Sequence, residues 1–319
     1  MALKKLLITS ESCLVPDFQL TTPVAFIIFN RPDTTERVFA EIAKAKPAKL
    51  LVIGDGARVN RPEEAEKVAA ARAIIQRVDW ECEVLTNFSE VNLGCKRRVS
   101  SGIDWVFEQV EEAIILEDDC LPDPSFFCFC QELLERYRHD QRIGLISGDN
   151  FQFGRRRNDD SYYFSKYVHI WGWATWRDRW AGSYDVTMAK WPRIRDEAWL
   201  TDIVGNAHEA DFWSKVFERV HRGEIDTWDY QWVFANWVEG RLTILPAMNL
   251  ISNIGFDANA THTTGDSELA NLASYPLGFP LKHPVGIFRN MQADIFSEKK
   301  CFRVPFVKRV RNKLSGWLR

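Results

Sequence analysis

Residues 24–29 form an apolar run without polar alternation, and such runs belong to strands buried on both faces. A sheet covered on both sides needs helices, and the sequence supplies them in alternation. Asn30, Arg31, Pro32 and Asp33 break the run, and a helix is predicted to start near Asp33. Residues 50–53 form the second predicted strand, closed by Gly54, Asp55 and Gly56. Pro62 opens an Ala- and Glu-rich helix to about Val78, and residues 82–86 form the third strand. Val99, Ile103, Val106 and Val110 recur at the spacing of one helix face. Residues 113–116 are the fourth strand, stopped by Glu117, Asp118 and Asp119. Asp123 reads as a helix cap and Pro124 as the first helical residue, with the helix ending near His139. Residues 143–147 are the fifth strand. This order predicts an α/β fold with a mostly parallel sheet and right-handed crossovers. Ligands bind such sheets at the carboxyl ends of the strands, where Asn30-Arg31, Asp55-Gly56 and the acidic triplet all fall.

The pattern changes after residue 150. Ten of the 13 tryptophans lie between Trp171 and Trp237. Helices are predicted over 207–222 and 229–239, and a strand over 241–245. Residues 151–160 read as a polar loop between the two parts. The net charge of -3 gives no case for nucleic-acid binding. The seven cysteines form no CxxC pair, which fits reduced thiols in a cytoplasmic protein and no thiolate metal site. Residues 1–8 are too short in their apolar part to read as a signal peptide. No uncharged apolar run reaches the length of a membrane span.

Three adjacent carboxylates at a strand end repel one another and call for compensation. A divalent cation supplies it, since Mg²⁺ and Mn²⁺ prefer oxygen ligands and share them with phosphates. The bland alternative is a solvated acidic turn. Lys96, Arg97 and Arg98 oppose the dipole at the start of the helix that leads to the triplet. A nearby anion would explain them, and Arg97, with Lys96 or Arg98, is read as a nucleotide or diphosphate contact.

The segment Ile115, Leu116, Glu117, Asp118, Asp119, followed by Pro124, Ser125, Phe126 and Phe127, resembles the core of GT-A-fold glycosyltransferases. The likeness is to the N-acetylglucosaminyltransferase I type and to bacterial family-2-like relatives. It covers residues 22–150 and, more loosely, the chain to 265. The resemblance implies a nucleotide-sugar-binding unit over 1–150 and an acceptor-binding and catalytic unit over 151–300, and the charge pattern sets off a basic tail over 301–319. It implies that Asp119 binds Mn²⁺ or Mg²⁺, that Asp118 holds the sugar or ribose, and that Glu117 orients the pair. Phe29, Asn30 and Arg31 would touch the nucleotide, and Asp55 would read the base. The donor it implies is a UDP-sugar.

By the same resemblance, Asp229 in the segment 228–232 is the base that deprotonates the acceptor hydroxyl of an inverting transferase. Asp226 and Asp211 are its reserves, and the bland role of Asp229 is a helix N-cap. Trp171, Gly172 and Trp173 look like the segment that lines the donor and acceptor sugars, with Gly172 giving close backbone approach. Most of the other tryptophans, and His169, are expected in the core. His262 lies in a polar Gly/Thr segment and is expected near the metal or diphosphate. The tail 303–319 carries six basic and no acidic residues, with Val307, Val310, Leu314 and Trp317 at helical spacing. It reads as a helix packed on the domain or as a peripheral membrane contact.

The expected activity is sugar transfer from a nucleotide-diphosphate donor to a glycan or lipid-linked acceptor, in a bacterial polysaccharide or glycolipid pathway at the inner face of the membrane. A sugar-phosphate nucleotidyltransferase shares the general fold, but a glycine-rich phosphate loop would then replace Asn30-Arg31-Pro32-Asp33. A glycoside hydrolase could use paired carboxylates but does not explain the nucleotide-fold units. A non-enzymatic carbohydrate-binding protein explains the tryptophans but not the acidic triplet.

Overall fold

The computed structural model describes residues 18–256 and 268–302. The first half follows the predicted alternation. It runs β1 (Val24–Ile28), α1 (Pro32–Ala45), β2 (Lys49–Gly54), α2 (Glu64–Ile74), β3 (Glu83–Phe88), α3 (Gly94–Gln109) and β4 (Glu112–Glu117). A short β5 (Cys120–Pro122) follows the acidic triplet, then α4 (Ser125–Tyr137) and β6 (Ile143–Ser147). The second half adds β7 (Tyr162–Ser165), β8 (Trp173–Trp176), α5 (Arg177–Ala181), α6 (Trp191–Asp196), α7 (Leu200–Val204), α8 (Ala207–His221), α9 (Asp229–Val238), β9 (Leu242–Pro246), β10 (Ile251–Asn253) and α10 (Met291–Ser297).

Local chemistry sets several boundaries. Pro32 sits in the first turn of α1, where its missing N–H costs nothing. The Asp123 carboxylate accepts from the Ser125 backbone N–H at 2.9 Å and from its hydroxyl at 2.6 Å, so α4 starts one residue after the expected proline. Asn206 caps α8 by accepting from Glu209 N–H at 2.7 Å.

The main sheet has the order β3-β2-β1-β4-β8-β6-β9-β7. β1 is parallel to both β2 and β4, and β2 is parallel to β3. β8 enters antiparallel between β4 and β6, and β7 closes the far edge antiparallel to β9. The fold is therefore α/β with a mostly parallel mixed sheet and flanking helices. β5 and β10 form a separate antiparallel ribbon that brings Asn253 opposite Cys120.

Both faces of the sheet are buried. Val24, Phe26, Ile28, Ile114 and Leu116 face a core closed by α1 and α4. Ala25, Ile27, Ala113 and Ile115 face the other core, closed by α3 and by the tryptophan-rich helices. Each Val, Ile, Leu and Phe side chain among them contributes about 1.5–3 kcal/mol by leaving water. That explains why these strands tolerate no polar alternation. The strands β5, β7, β8 and β10 escaped the sequence reading. Trp173, the first residue of β8, reads there as lining the sugars, and β7 lies just after the polar loop 151–160.

Candidate functional site

A cavity of about 510 Å³ opens at the carboxyl ends of β1, β2 and β4. From this edge of the sheet come Phe29, Asn30, Arg31, Asp55, Glu117, Asp118 and Asp119. Trp171 and the segment 225–230, including Asp229, close it from the second half. These nine residues were all expected at one site, and the fold brings them to one cavity.

The acidic triplet is only partly compensated. Asp118 is 8% exposed and accepts a hydrogen bond from Phe29 N–H at 3.1 Å. Burial first, and Asp119 next, push its carboxyl up to about 7, against the pull of Arg31. Burial also drives Glu117 well above the usual carboxylate range, helped by Asp119, Asp118 and Asp229 in that order. Asp119 Oδ2 pairs with Arg31 Nη1 at 2.8 Å. Gly255 packs directly against this pair. A Cβ there would stand 2.1 Å from Asp119 Oδ2 and 2.7 Å from Arg31 Nη1, so only glycine fits.

The N-terminus of α3 is filled from within the protein. Asp55 is buried, and its carboxylate accepts from the N–H groups of Gly56 and Leu93 at 2.9 Å and of Gly94 at 3.0 Å. The Asn92 side chain adds a fourth donor at 3.0 Å. Asp226 accepts from Cys95 N–H and Lys96 N–H at 3.2 Å each. Two distant carboxylates thus satisfy the first N–H groups of the helix and complement its dipole. The anions that these N–H groups meet are the chain's own carboxylates. Burial raises the Asp55 carboxyl, while the Leu93, Gly56 and Gly94 N–H groups oppose the rise. With both oxygens engaged, Asp55 organises the turn after β2 and the start of α3.

Arg97 does not fit its expected place. It is exposed and does not line the cavity. Arg98 does line it, but its guanidinium donates to Asn87 O at 2.7 Å and Asn87 Oδ1 at 2.8 Å. The reason is helical geometry, which turns position 97 outward and position 98 toward β3.

Asp229 is the first residue of α9, and Trp228 occupies the cap position without a side-chain bond. Asp229 therefore does not act as the N-cap; its carboxylate accepts from the Thr227 hydroxyl and faces the cavity. Asp211 lies on the exposed side of α8, paired with Lys215 at 2.7 Å, and does not line the cavity.

Trp171 meets the cavity, and its backbone N–H donates to the buried Asp149 at 3.0 Å. Gly172 and Trp173 do not line the cavity. Gly172 has φ +64, and a Cβ would stand 2.5 Å from Ile251 Cδ1, so the glycine serves protein packing and not a ligand. Trp173 is fully buried, its ring 5.7 Å from Trp228 and 5.8 Å from Trp232. It belongs to the core under the site, because alternation along β8 points it at the helices. His169 is also core: its ring lies 4.5 Å from Phe151, and burial depresses it to about 3. His262 and the tail 303–319 lie outside the described residues.

Three contributors escaped the sequence reading. Arg58 lines the cavity, lies 5.7 Å over the Phe29 ring, and pairs with Glu64. A basic residue just after the second strand end was the signal for it. Asn92 ties Asp55 to Gly56 O at 2.8 Å. Asp149 is buried at the end of β6, and burial drives its carboxyl well above the usual range.

Among the described residues, no group of three or more His, Cys, Asp or Glu side chains converges as a metal cage. The donor set instead suits a hard cation held by one or two carboxylates that completes its shell with phosphate oxygens and water. Burial, and after it the neighbouring carboxylates, disfavours the charged forms of Glu117 and Asp118, and a cation placed among them would favour those forms.

No family model and no curated protein sequence matches the chain. Solved structures give low-scoring likenesses. A mannosyltransferase from Pyrobaculum calidifontis in complex with GDP-Man and Mn²⁺ is 13% identical over 51% of this chain and 46% of its own, with a TM-score of 0.34. The chain thus spans less than half of that protein. A 4-diphosphocytidyl-2C-methyl-D-erythritol synthase from Anaerococcus prevotii is 8% identical over 49% of this chain and 72% of its own, with a TM-score of 0.30. An apo UDP-glucose pyrophosphorylase is 8% identical over 70% of this chain and 90% of its own, with a TM-score of 0.33. At such scores the likenesses carry neither fold nor function to this chain.

Proposed function

We propose that the chain is a metal-dependent glycosyltransferase of the GT-A type. It would move a sugar from a nucleotide-diphosphate donor, by sequence resemblance a UDP-sugar, to a hydroxyl of a glycan or lipid-linked acceptor. The observation that carries this reading is the meeting of Glu117, Asp118 and Asp119 with Asp229 at one cavity on the carboxyl edge of the sheet.

In this reading Asp119 holds Mn²⁺ or Mg²⁺, and His262 is its proposed partner at the metal or diphosphate. When bound, the cation neutralises the charge that develops on the departing diphosphate. Arg31, 2.8 Å from Asp119, adds a fixed positive charge at the same end. Asp118, bonded to Phe29 N–H, ties the triplet to the strand end that receives the nucleotide. Phe29, with Arg58 above it, offers a flat face and a cation to the base or ribose.

Asp229 acts as general base. The acceptor oxygen bonds to the anomeric carbon as the bond from that carbon to the diphosphate oxygen breaks, and the hydroxyl proton goes to the Asp229 carboxylate. Attack opposite the leaving group inverts the anomeric configuration. The Trp171 ring provides an apolar face for a pyranose.

Isothermal titration tests the reading. UDP binding should require Mn²⁺ or Mg²⁺ and vanish in Asp119→Ala. Equal binding without metal removes Asp119 from the proposal.

No helix among the described residues is long and apolar enough to cross a membrane. We assign the basic tail 303–319 a peripheral contact with anionic lipid, which would suit a lipid-linked acceptor. Flotation with anionic liposomes should carry the full chain and leave a 1–302 variant behind, and equal partitioning rejects the contact.

A further inference from the structure

The segment that carries Asp229 is anchored on two sides. On one side it joins the tryptophan core: Trp228 O accepts from the Tyr184 hydroxyl at 3.1 Å, and the Trp228 ring stacks on Trp173 at 5.7 Å. Thr227 O accepts from the Gln231 side chain at 2.8 Å. On the other side, Asp226 reaches the nucleotide half of the molecule and grips the N–H groups of Cys95 and Lys96. This contact joins residues 130 positions or more apart.

Two features show that the grip is built in. Gly94 has φ +79, a conformation that side chains rarely adopt, and a Cβ there would stand 2.8 Å from Asp226 Oδ2. The glycine therefore permits both the sharp entry into α3 and the approach of the carboxylate. The second feature is charge. Asp226 lines a cavity that already holds Glu117, Asp118, Asp119 and Asp229. These carboxylates repel one another, and the aligned N–H dipoles of the α3 N-terminus attract Asp226 toward α3.

We infer that Asp226 is a positioning residue, a latch that fixes the 226–229 turn to α3 and so sets Asp229 against the acidic end of β4. The inference rests on the reading of Asp229 as base. It places the register between the two halves of the site in one exposed carboxylate. A general base works only at hydrogen-bond distance from its proton, and a misplacement near 1 Å costs about 100-fold in rate.

Hydrogen exchange read by mass spectrometry tests the latch without a substrate. Asp226→Ala should speed exchange about tenfold or more in peptides covering 93–98 and 225–231, while β1 and β2 stay protected. Asp226→Asn keeps one acceptor oxygen and should fall between. Gly94→Ala should reproduce the effect by pushing the carboxylate away.

Turnover of a panel of UDP-sugars supplies the second readout. In Asp226→Ala, kcat should fall about 10- to 100-fold while UDP affinity in Mn²⁺ stays within about twofold. Unchanged exchange over 225–231 overturns the latch, and so does faster exchange with an unchanged kcat. Full turnover in Asp229→Asn overturns the base instead, and leaves the latch to the exchange result.

Discussion

Arg31 Nη1 lies 2.8 Å from Asp119 Oδ2, with Gly255 packed so closely on the pair that no side chain fits there. The carboxylate proposed to hold a cation is thus already held by a guanidinium. Both groups are about one-fifth exposed, so the pair is neither deeply buried nor freely screened.

Arg31→Gln separates the two roles. Removing the guanidinium leaves the triplet with more uncompensated charge, so Mn²⁺ alone should bind more tightly. UDP in saturating Mn²⁺ should bind about tenfold or more weakly, the scale of a lost charged hydrogen bond. Calorimetric titration checks both, and a variant that weakens metal and nucleotide equally refutes the division.

Asp229→Asn should retain UDP binding and lose about 100-fold or more in turnover, because the amide cannot take the acceptor proton. Steady-state kinetics beside a binding titration checks the split. A fall in affinity with unchanged kcat would assign Asp229 to donor binding.

Gly172→Ala should destabilise the fold by about 1–3 kcal/mol, from the strained backbone and the overpacking against Ile251. Adding Ile251→Ala makes room for the new methyl group, so the double variant should lose less than the sum of the singles. Urea unfolding measures the cycle. Additive losses would mean that the two side chains do not meet.

His169 sets a pH dependence. Its folded value of about 3 lies below the ordinary 6.5, because burial disfavours the charged ring. Between these values the unfolded chain binds the proton and the folded chain does not, so this contribution to stability is present above pH 6.5 and lost as pH falls toward 3. At one unit below the ordinary value the loss is about 1.4 kcal/mol. Asp149 acts in the opposite sense, because its raised carboxyl gains stability as acid is added. The comparison is therefore with His169→Gln, whose stability should fall less steeply from neutral to pH 5. Parallel curves would show that His169 is not buried as a neutral ring.

Much of the first half was legible in the sequence because local rules act there. Apolar runs must be buried on both faces, helix stripes recur at fixed spacing, and polar breaks at strand ends collect at one edge. These rules placed Asn30, Arg31, Asp55 and the acidic triplet at one edge of the sheet, and the family likeness added Phe29. Trp171 and Asp229 were placed by a family likeness, and both line the same cavity.

The tertiary structure decided what those residues touch. Sequence spacing could not show that Asp55 and Asp226 fill the α3 N-terminus, because Asp226 lies more than 100 positions from Cys95. It could not separate Trp171 from Trp173, because Trp171 lies before β8, Gly172 at φ +64 turns the chain between them, and no local pattern marks the antiparallel insertion of β8 beside β4. Periodicity and propensity act over a few residues. Contacts between segments far apart in the chain depend on how the whole sheet closes.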